Sequence, residues 1–465
     1  MPVRPMTALP GGEPTFMVSA FGTATVRPCG ISNDRTTLYA SGTVDGTLRQ
    51  STNDGATWTT LYTFMAGWVV SLLIETDDGE AVAFINCAAV RGRVYKSSGW
   101  AASHSTATWT EVLVTEGSYV DRYGANSATF GDDAIVPGSG KYGAIGCYGN
   151  QTTSSGDQTT KGRYAYWTED YGVTWVQVFD LLEWATARGV TANLHIHSAA
   201  YDPWWDRIWI AWGDTAIDGK LDVVFSDDHG STWSQLEDTF STFSAYPTIG
   251  MQSTTVLPRE DVIVFGSDPT RGIWVIPRKG YRKYGPPSIL AMHSTGTSNT
   301  SISTHTNSLR GTPGAPVTHA WDSQLANMKP GVAISWDGGK NFRRVIDWPA
   351  TVISSIDQVW GPTVSGKYVI GCHLSTTYYL VVGTLVSARD GVLNRILRAT
   401  GDGSTQSFTL PHYLGKKPDA VLAYAQSSAA LGAFTVTADT TNVTVTFTAA
   451  PANSAHIQVS LLLSA

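Results

Sequence analysis

One eight-residue turn motif recurs four times along this chain, and its spacing constrains the fold more tightly than any other feature. The copies are Ser51-Thr52-Asn53-Asp54-Gly55-Ala56-Thr57-Trp58, Thr168-Glu169-Asp170-Tyr171-Gly172-Val173-Thr174-Trp175, Ser226-Asp227-Asp228-His229-Gly230-Ser231-Thr232-Trp233 and Ser335-Trp336-Asp337-Gly338-Gly339-Lys340-Asn341-Phe342. Each begins with a hydroxyl and carries an amide or carboxylate at the third place, a glycine at the fifth and an aromatic at the eighth. The third side chain can accept from backbone N–H groups of its own turn, and the glycine is free to take positive φ. This is a hairpin lock whose final aromatic falls back on a sheet. Those aromatics stand at 58, 175, 233 and 342. One neighbouring pair is therefore 58 residues apart, and the other intervals are close to twice that. Two intervening units have lost the motif, and Ala107-Thr108-Trp109 keeps a remnant of one.

A period of this size filled with short strands marks a β-propeller, whose four-stranded blades cannot bury their faces singly. The motif resembles the Asp-box, or BNR repeat, of sialidase-like propellers. That resemblance spans roughly residues 17–390 and implies an all-β fold in which the boxes are structural and remote from any site. The expected structural residues are Ser51, Asn53, Gly55, Trp58, Thr168, Asp170, Gly172, Trp175, Ser226, Asp228, Gly230, Trp233, Ser335, Asp337, Gly339 and Phe342. Six or seven blades fit the strand pattern, seven better. The first runs from Phe16 to Phe64 and the second from Trp68 to Val114. The third ends at Phe179, the fourth covers Leu194 to Leu236, and the fifth contains Asp261–Ile276. The sixth ends with the last box, and a seventh lies between Val352 and Val382. Sialidases proper have six, so the count departs from that family. Residues 296–315 read as a long loop.

All 17 Trp lie at or before Trp360. The composition shift marks a domain boundary, giving an N-terminal arm (1–16), a propeller (17–392) and a C-terminal module (397–465). Helix is expected only near Asp180–Arg188. A net charge of −7 without a basic cluster excludes the stripe that nucleic-acid phosphates require. Cys29, Cys87, Cys147 and Cys372 stand isolated in apolar strands and read as four buried thiols in preference to two disulfides. The first residues lack an apolar run of signal-peptide length, and Gly67–Ile74 is far too short to cross a bilayer. Folding in a cytoplasm, with no membrane insertion, is the expectation.

The segment Leu194-His195-Ile196-His197, followed by Asp202-Pro203 and Arg207-Ile208-Trp209, looks like the two inner strands of a blade in bacterial propellers of this type. Strand alternation puts His195 and His197 on one side, where they serve as hydrogen-bonded strand residues, ligand contacts or metal ligands. A metal would need a third ligand that the sequence does not place, so no metal or cofactor is assigned. Sialidase chemistry would require an arginine triad opened by an F/Y-R-I-P strand. Val26-Arg27-Pro28-Cys29 matches this poorly; Arg122 and Arg310 are the other arginines considered. Hydrolysis of a neutral glycan would need two carboxylates, drawn from Asp121, Asp132, Asp202, Asp214, Asp268 and Asp322. Trp204, Trp205, Tyr246 and Trp360 are candidates for stacking on sugar rings. The binding set is accordingly His195, His197, Arg27, Arg122, Tyr246, Trp204 and Trp360.

From about Leu397 the pattern becomes alternating Thr and Val with short turns, as in Phe434-Thr435-Val436-Thr437-Ala438 and Asn442-Val443-Thr444-Val445-Thr446-Phe447. A compact β-sandwich-like module follows from that pattern. With Gly401-Asp402-Gly403-Ser404-Thr405 and Leu410-Pro411-His412-Tyr413-Leu414-Gly415, it resembles a small C-terminal domain of bacteriophage tail proteins. Tyr413 replaces that family's usual Gly. The resemblance implies a virion tail component made in the host cytoplasm, partnered by other tail or baseplate proteins and by a bacterial surface polysaccharide, and assembled as a homo-oligomer, in the first instance a trimer. The expected function is receptor binding; the alternative is a virion-borne glycoside hydrolase acting on capsule or lipopolysaccharide.

Overall fold

A computed structural model describes residues 15–43, 45–87, 91–116, 141–148, 162–191, 194–213, 217, 222–236, 253–259, 262–267, 273–278, 303–308, 317–321, 330–335, 339, 342–348, 352–386, 393–400, 403–411, 417–418, 420–425, 434–451 and 456–463. The chain is nearly all β, a propeller followed by a small β module. Two compact units divide it: residues 22–382, and residues 383–465 together with those up to Phe21.

Among the described residues, seven antiparallel sheets precede the C-terminal module. The first comprises Val26–Ile31, Leu38–Gly42, Thr47–Ser51 and Thr59–Thr63, and the second Trp68–Glu75, Ala81–Cys87, Arg93–Ser98 and Thr108–Val114. The third has Gly143–Gly146, Tyr164–Thr168 and Val176–Asp180, while the fourth has His195–Asp202, Arg207–Gly213, Val223–Ser226 and Ser234–Gln235. Ser253–Pro258, Val262–Ser267 and Ile273–Pro277 form the fifth; Ser303–Ser308, Val317–Trp321, Gly331–Ser335 and Arg343–Asp347 form the sixth. The seventh contains Ser355–Trp360, Lys367–Leu374 and Thr377–Val386, and its outermost member is the N-terminal strand Thr15–Thr23. That strand was expected in the first blade. It stands in the last because the Thr377–Val386 edge offers unpaired backbone groups, as the Ala24 N–H bond to the Tyr378 carbonyl at 2.9 Å illustrates.

Within residues 22–382 the inner strands touch in cyclic succession. Val26–Ile31 meets Trp68–Glu75 on one side and Ser355–Trp360 on the other, and the same neighbour relation links the fourth, fifth, sixth and seventh sheets. The apolar core lies between sheets. One cluster joins Leu38, Phe84, Ile145, Tyr166, Trp360 and Val369, drawn from the first, second, third and seventh. A single short helix, Leu181–Thr186, starts where the Asp180 carboxylate accepts from the Leu182 and Glu183 amides.

The repeated turns explain how neighbouring sheets are held. In each, the first hydroxyl accepts the glycine N–H: Gly55 to Ser51 at 2.9 Å, Gly172 to Thr168 at 3.1 Å, Gly230 to Ser226 at 2.7 Å and Gly339 to Ser335 at 2.8 Å. The third side chain accepts the amide of the seventh residue, from Thr57, Thr174 and Thr232, at 2.7–2.9 Å. Asp337 lies outside the described residues. The glycines all have positive φ, between 83° and 95°. Every turn joins the last two described strands of its own sheet and packs on the preceding sheet. Gly230 sits against Val178 and Gly339 against Val264. The Trp233 indole donates to the Val178 carbonyl at 3.1 Å, and Trp175 meets Phe84 edge-on. In the second sheet, buried Lys96 donates to the Tyr171 carbonyl at 2.9 Å. The first turn completes the cycle, since Asp54 accepts from the Thr363 and Ser365 hydroxyls of the seventh sheet at 2.8 and 2.7 Å.

The C-terminal module consists of two three-stranded sheets, Leu393–Thr400, His456–Leu463 and Ala420–Ala425 in one, Ser407–Pro411, Asn442–Phe447 and Phe434–Ala438 in the other. Val443, Val445 and Phe447 pack with Val459 and Val421 of the facing sheet, which makes it a sandwich.

Two predictions follow from the turns. A Cβ on Gly230 would lie 2.6 Å from the Val178 Cβ, whereas one on Gly55 meets nothing closer than 3.5 Å. Gly55→Ala should then cost about 1–2 kcal/mol from positive φ alone, and Gly230→Ala about 2–4 kcal/mol once overpacking is added, as read by chemical unfolding. The second concerns acid. The Thr232 hydroxyl and amide hold Asp228 below the ordinary 3.8; for Asp170 burial pushes upward, and the bonds from Thr174 and Thr168 outweigh it. Stability from a lowered carboxylate is full above its unfolded value and is lost as pH falls through the folded one. Because Asn53 fills the same role, donating to the Thr57 hydroxyl at 2.9 Å, Asp170→Asn/Asp228→Asn should keep the fold at pH 7 and flatten the loss of stability below about pH 4. Equal acid sensitivity in variant and parent would refute this.

Candidate functional site

Antiparallel succession gives each sheet two distinct ends. Turns joining first to second and third to fourth strands gather at one end, the turn end, with the repeated motifs. The turns joining second to third strands and the connections between sheets gather at the other, the connector end. The inner strands start at the connector end.

A bulge recurs there. In all six described inner strands the pairing register steps by one residue, at Cys29, Ser71, His197, Thr254, Thr304 and Asp357. Such an extra residue leaves the ladder locally unpaired and bends the strand. Other sheets supply partners: Gln358 of the seventh sheet donates to the Ser71 carbonyl of the second at 2.8 Å, and the Val256 amide of the fifth donates to the Ser198 hydroxyl of the fourth at 3.0 Å.

His195 and His197 meet through this bulge. Their Nε2 atoms are 2.9 Å apart, His197 Nδ1 lies 3.2 Å from the Ser253 carbonyl, and Tyr148 packs 4.4 Å from the His195 ring. The carbonyl can only accept, so His197 Nδ1 is the donor to it. Both rings are buried, at 0 % and 2 % exposure, and His197 covers Gly213. The pair forms an internal polar link between the third, fourth and fifth sheets, beneath the surface.

The accessible cluster at this end lies between the first and seventh sheets. Asp357, the bulge residue, accepts from His373 Nδ1 at 3.0 Å and pairs with Arg27 at 3.5 Å. The Arg27 guanidinium stands 5.0 Å over the Tyr378 ring, which is 5.7 Å from the His373 ring. Arg27 and His373 side chains are 31 % and 28 % exposed, Asp357 only 11 %. A guanidinium on a phenol face thus flanks an imidazole oriented by a carboxylate. The group offers fixed donors, an acceptor and a ring face to a polar ligand. Cys29 and Cys372 lie behind it. Burial pushes both thiols up; Arg27 opposes this slightly at Cys29, and Asp357 adds to it at Cys372. They remain protonated and take no part as nucleophiles.

Of the sequence candidates, Arg27 and the histidine pair share the connector end. Trp204 lies in the Asp202–Arg207 turn at the opposite end, where Arg278 stands 5.2 Å over its ring and also pairs with buried Asp202 at 2.7 Å. Trp205 belongs to the same cluster, 4.6 Å from Arg278. Trp360 ends its inner strand at the turn end and is buried in the core, 7 % exposed, with its indole donating to Gln358. Arg122, Arg310, Tyr246, Asp121, Asp132, Asp214, Asp268 and Asp322 lie outside the described residues. Asp357, His373 and Tyr378 went unnoticed in the sequence. A polar residue between Ile356 and Val359 was the available signal, equivalent by strand position to His197 between Ile196 and Ala199.

The sequence matches no established family profile and no curated protein. Solved structures that resemble it in fold are β-propeller proteins. YCF48 from Cyanidioschyzon merolae aligns at 12 % identity over 81 % of this chain and 97 % of its own, with a TM-score of 0.44. A prolyl endopeptidase aligns at 10 % over 86 % and 55 %, TM-score 0.42, and Raptor of Chaetomium thermophilum at 9 % over 80 % and 29 %, TM-score 0.46.

The buried thiols give a direct test of the site's packing. In the native protein at pH 8, Cys29 and Cys372 should resist iodoacetamide for hours and react fully in guanidinium, with peptide mass spectrometry resolving each. Rapid native alkylation of Cys372 would show that the wall behind His373 is open.

Proposed function

We propose that this chain is a bacteriophage tail- or baseplate-associated receptor-binding protein whose propeller, read as seven-bladed, recognises a bacterial surface glycan at the connector end. The carrying observation is the partly exposed Arg27–Tyr378 stack beside the Asp357–His373 pair. Sugar rings pack on aromatic faces, and their hydroxyls take up directed donors and acceptors. The Asp-box-like turns and the resemblance of the C-terminal module to phage tail domains support the virion setting. Production in a host cytoplasm, tail or baseplate partners and trimeric assembly belong to the same reading, since multivalency would multiply a weak single-site affinity. The described part of the cluster contains one carboxylate, and glycoside hydrolysis needs two across the bond. Binding without cleavage is therefore preferred to a depolymerase.

Purified protein should be retained on at least one strain in a bacterial panel without raising reducing ends in that strain's extracted polysaccharide. Arg27→Ala and Tyr378→Ala should each weaken retention roughly 5- to 30-fold, corresponding to about 1–2 kcal/mol of lost stacking and hydrogen bonding. New reducing ends would favour hydrolysis. Retention unchanged in both variants would remove this cluster from the binding site.

A further inference from the structure

The outward face of one sheet in the C-terminal module carries a block of six hydroxyl side chains, next to the Pro411–Asn442 pair. Inward positions Phe408, Leu410, Val443, Val445, Phe434 and Val436 fill the core, so strand alternation turns Ser407, Thr409, Thr444, Thr446, Thr435 and Thr437 outward. The pairing register sets them in two rows across three strands. Ser407, Thr446 and Thr435 stand side by side in one; Thr409, Thr444 and Thr437 do so in the next. Five of the six are exposed and Thr444 is half-buried. The Ser407 and Thr446 hydroxyls are 3.2 Å apart, at the spacing of a shared hydrogen bond.

We propose that this face is a second ligand-binding surface and that its occupant is a neutral polysaccharide chain. None of the six residues carries charge, so the face has no electrostatic complement for nucleic acid, anionic lipid or an acidic or basic peptide. The grid is also too small for self-association by itself. With strands about 4.8 Å apart and same-face residues about 7 Å apart, it covers on the order of 200 Å², against roughly 800 Å² per partner in a stable protein interface. It lacks the Trp, Tyr and Arg anchors that dominate such interfaces. What it presents is an array of groups that each donate and accept, backed by β-branched stems with few rotamers to lose. Those are the terms on which a neutral, hydroxyl-rich chain exchanges its water for protein partners. The inference deepens the receptor-binding reading and relies on it only for the source of the polysaccharide.

The test is affinity electrophoresis of the full chain in native gels containing dextran, pullulan, galactomannan or hyaluronate. The expected result is retardation by at least one neutral polymer and none by hyaluronate through this face. Thr435→Val/Thr437→Val/Thr446→Val keeps the β-branched shape and should weaken that retardation at least tenfold. A matching thermal unfolding midpoint would verify that the triple variant is folded; Thr435→Ser/Thr437→Ser, which retains the hydroxyls, should still bind. The proposal is overturned if no neutral polymer retards the parent, if the valine variant is retarded equally, or if Arg27→Ala abolishes retardation. That last outcome would leave the propeller site standing, whereas loss of cell retention with gel retardation intact would do the reverse.

Discussion

The hydrogen-bonded knot in which a Ser or Thr hydroxyl captures a glycine amide is the constraint on which the propeller depends. It fixes a turn between two antiparallel strands, and in the four sheets that carry it the same turn is the surface offered to the sheet before. Gly230 against Val178 and Gly339 against Val264 leave no room for a methyl group, so the glycine serves both backbone conformation and close approach. The sheets are thereby joined in one direction around the cycle. Asp54, bonded to Thr363 and Ser365, extends that direction from the first sheet back to the seventh.

The opposite end is governed by the recurrent bulge. An extra residue in each described inner strand bends it where connections between sheets converge, and the Ser71 carbonyl and Val256 amide find side-chain partners in other sheets. The same backbone event has different chemical results according to the residue it carries. At Cys29 it buries a thiol, at His197 it brings two imidazoles together inside the protein, and at Asp357 it gives a carboxylate that orients His373 near a partly exposed arginine.

Much of the fold was legible in residue order because its signals are local. The turn motifs, the helix at Leu181–Thr186 and the alternating Thr and Val of the last strands each depend on interactions within a few residues. The site was much less legible. Trp204 and Trp360 have the right chemistry for stacking on sugars, yet one is held beneath Arg278 in the turn-end cluster and the other is in the core. Strand parity put His195 and His197 on one side correctly, but parity is silent on whether that side faces solvent or a neighbouring sheet. Asp357, His373, Tyr378 and Arg27 come from widely separated positions, and no local pattern joins them.

Residue order by itself determined the repeated turn, the all-β character and the change of texture near residue 397, since each follows from backbone preferences, hydrogen bonding in short loops and the period of apolar residues. Tertiary structure decided which sheet each turn packs upon, that Thr15–Thr23 completes the seventh sheet, and which polar residues gather at the connector end. Those outcomes rest on pairing between edges and on packing across sheets far apart in sequence. Such interactions are fixed by where neighbouring backbones come to lie, and no short stretch of residues encodes that.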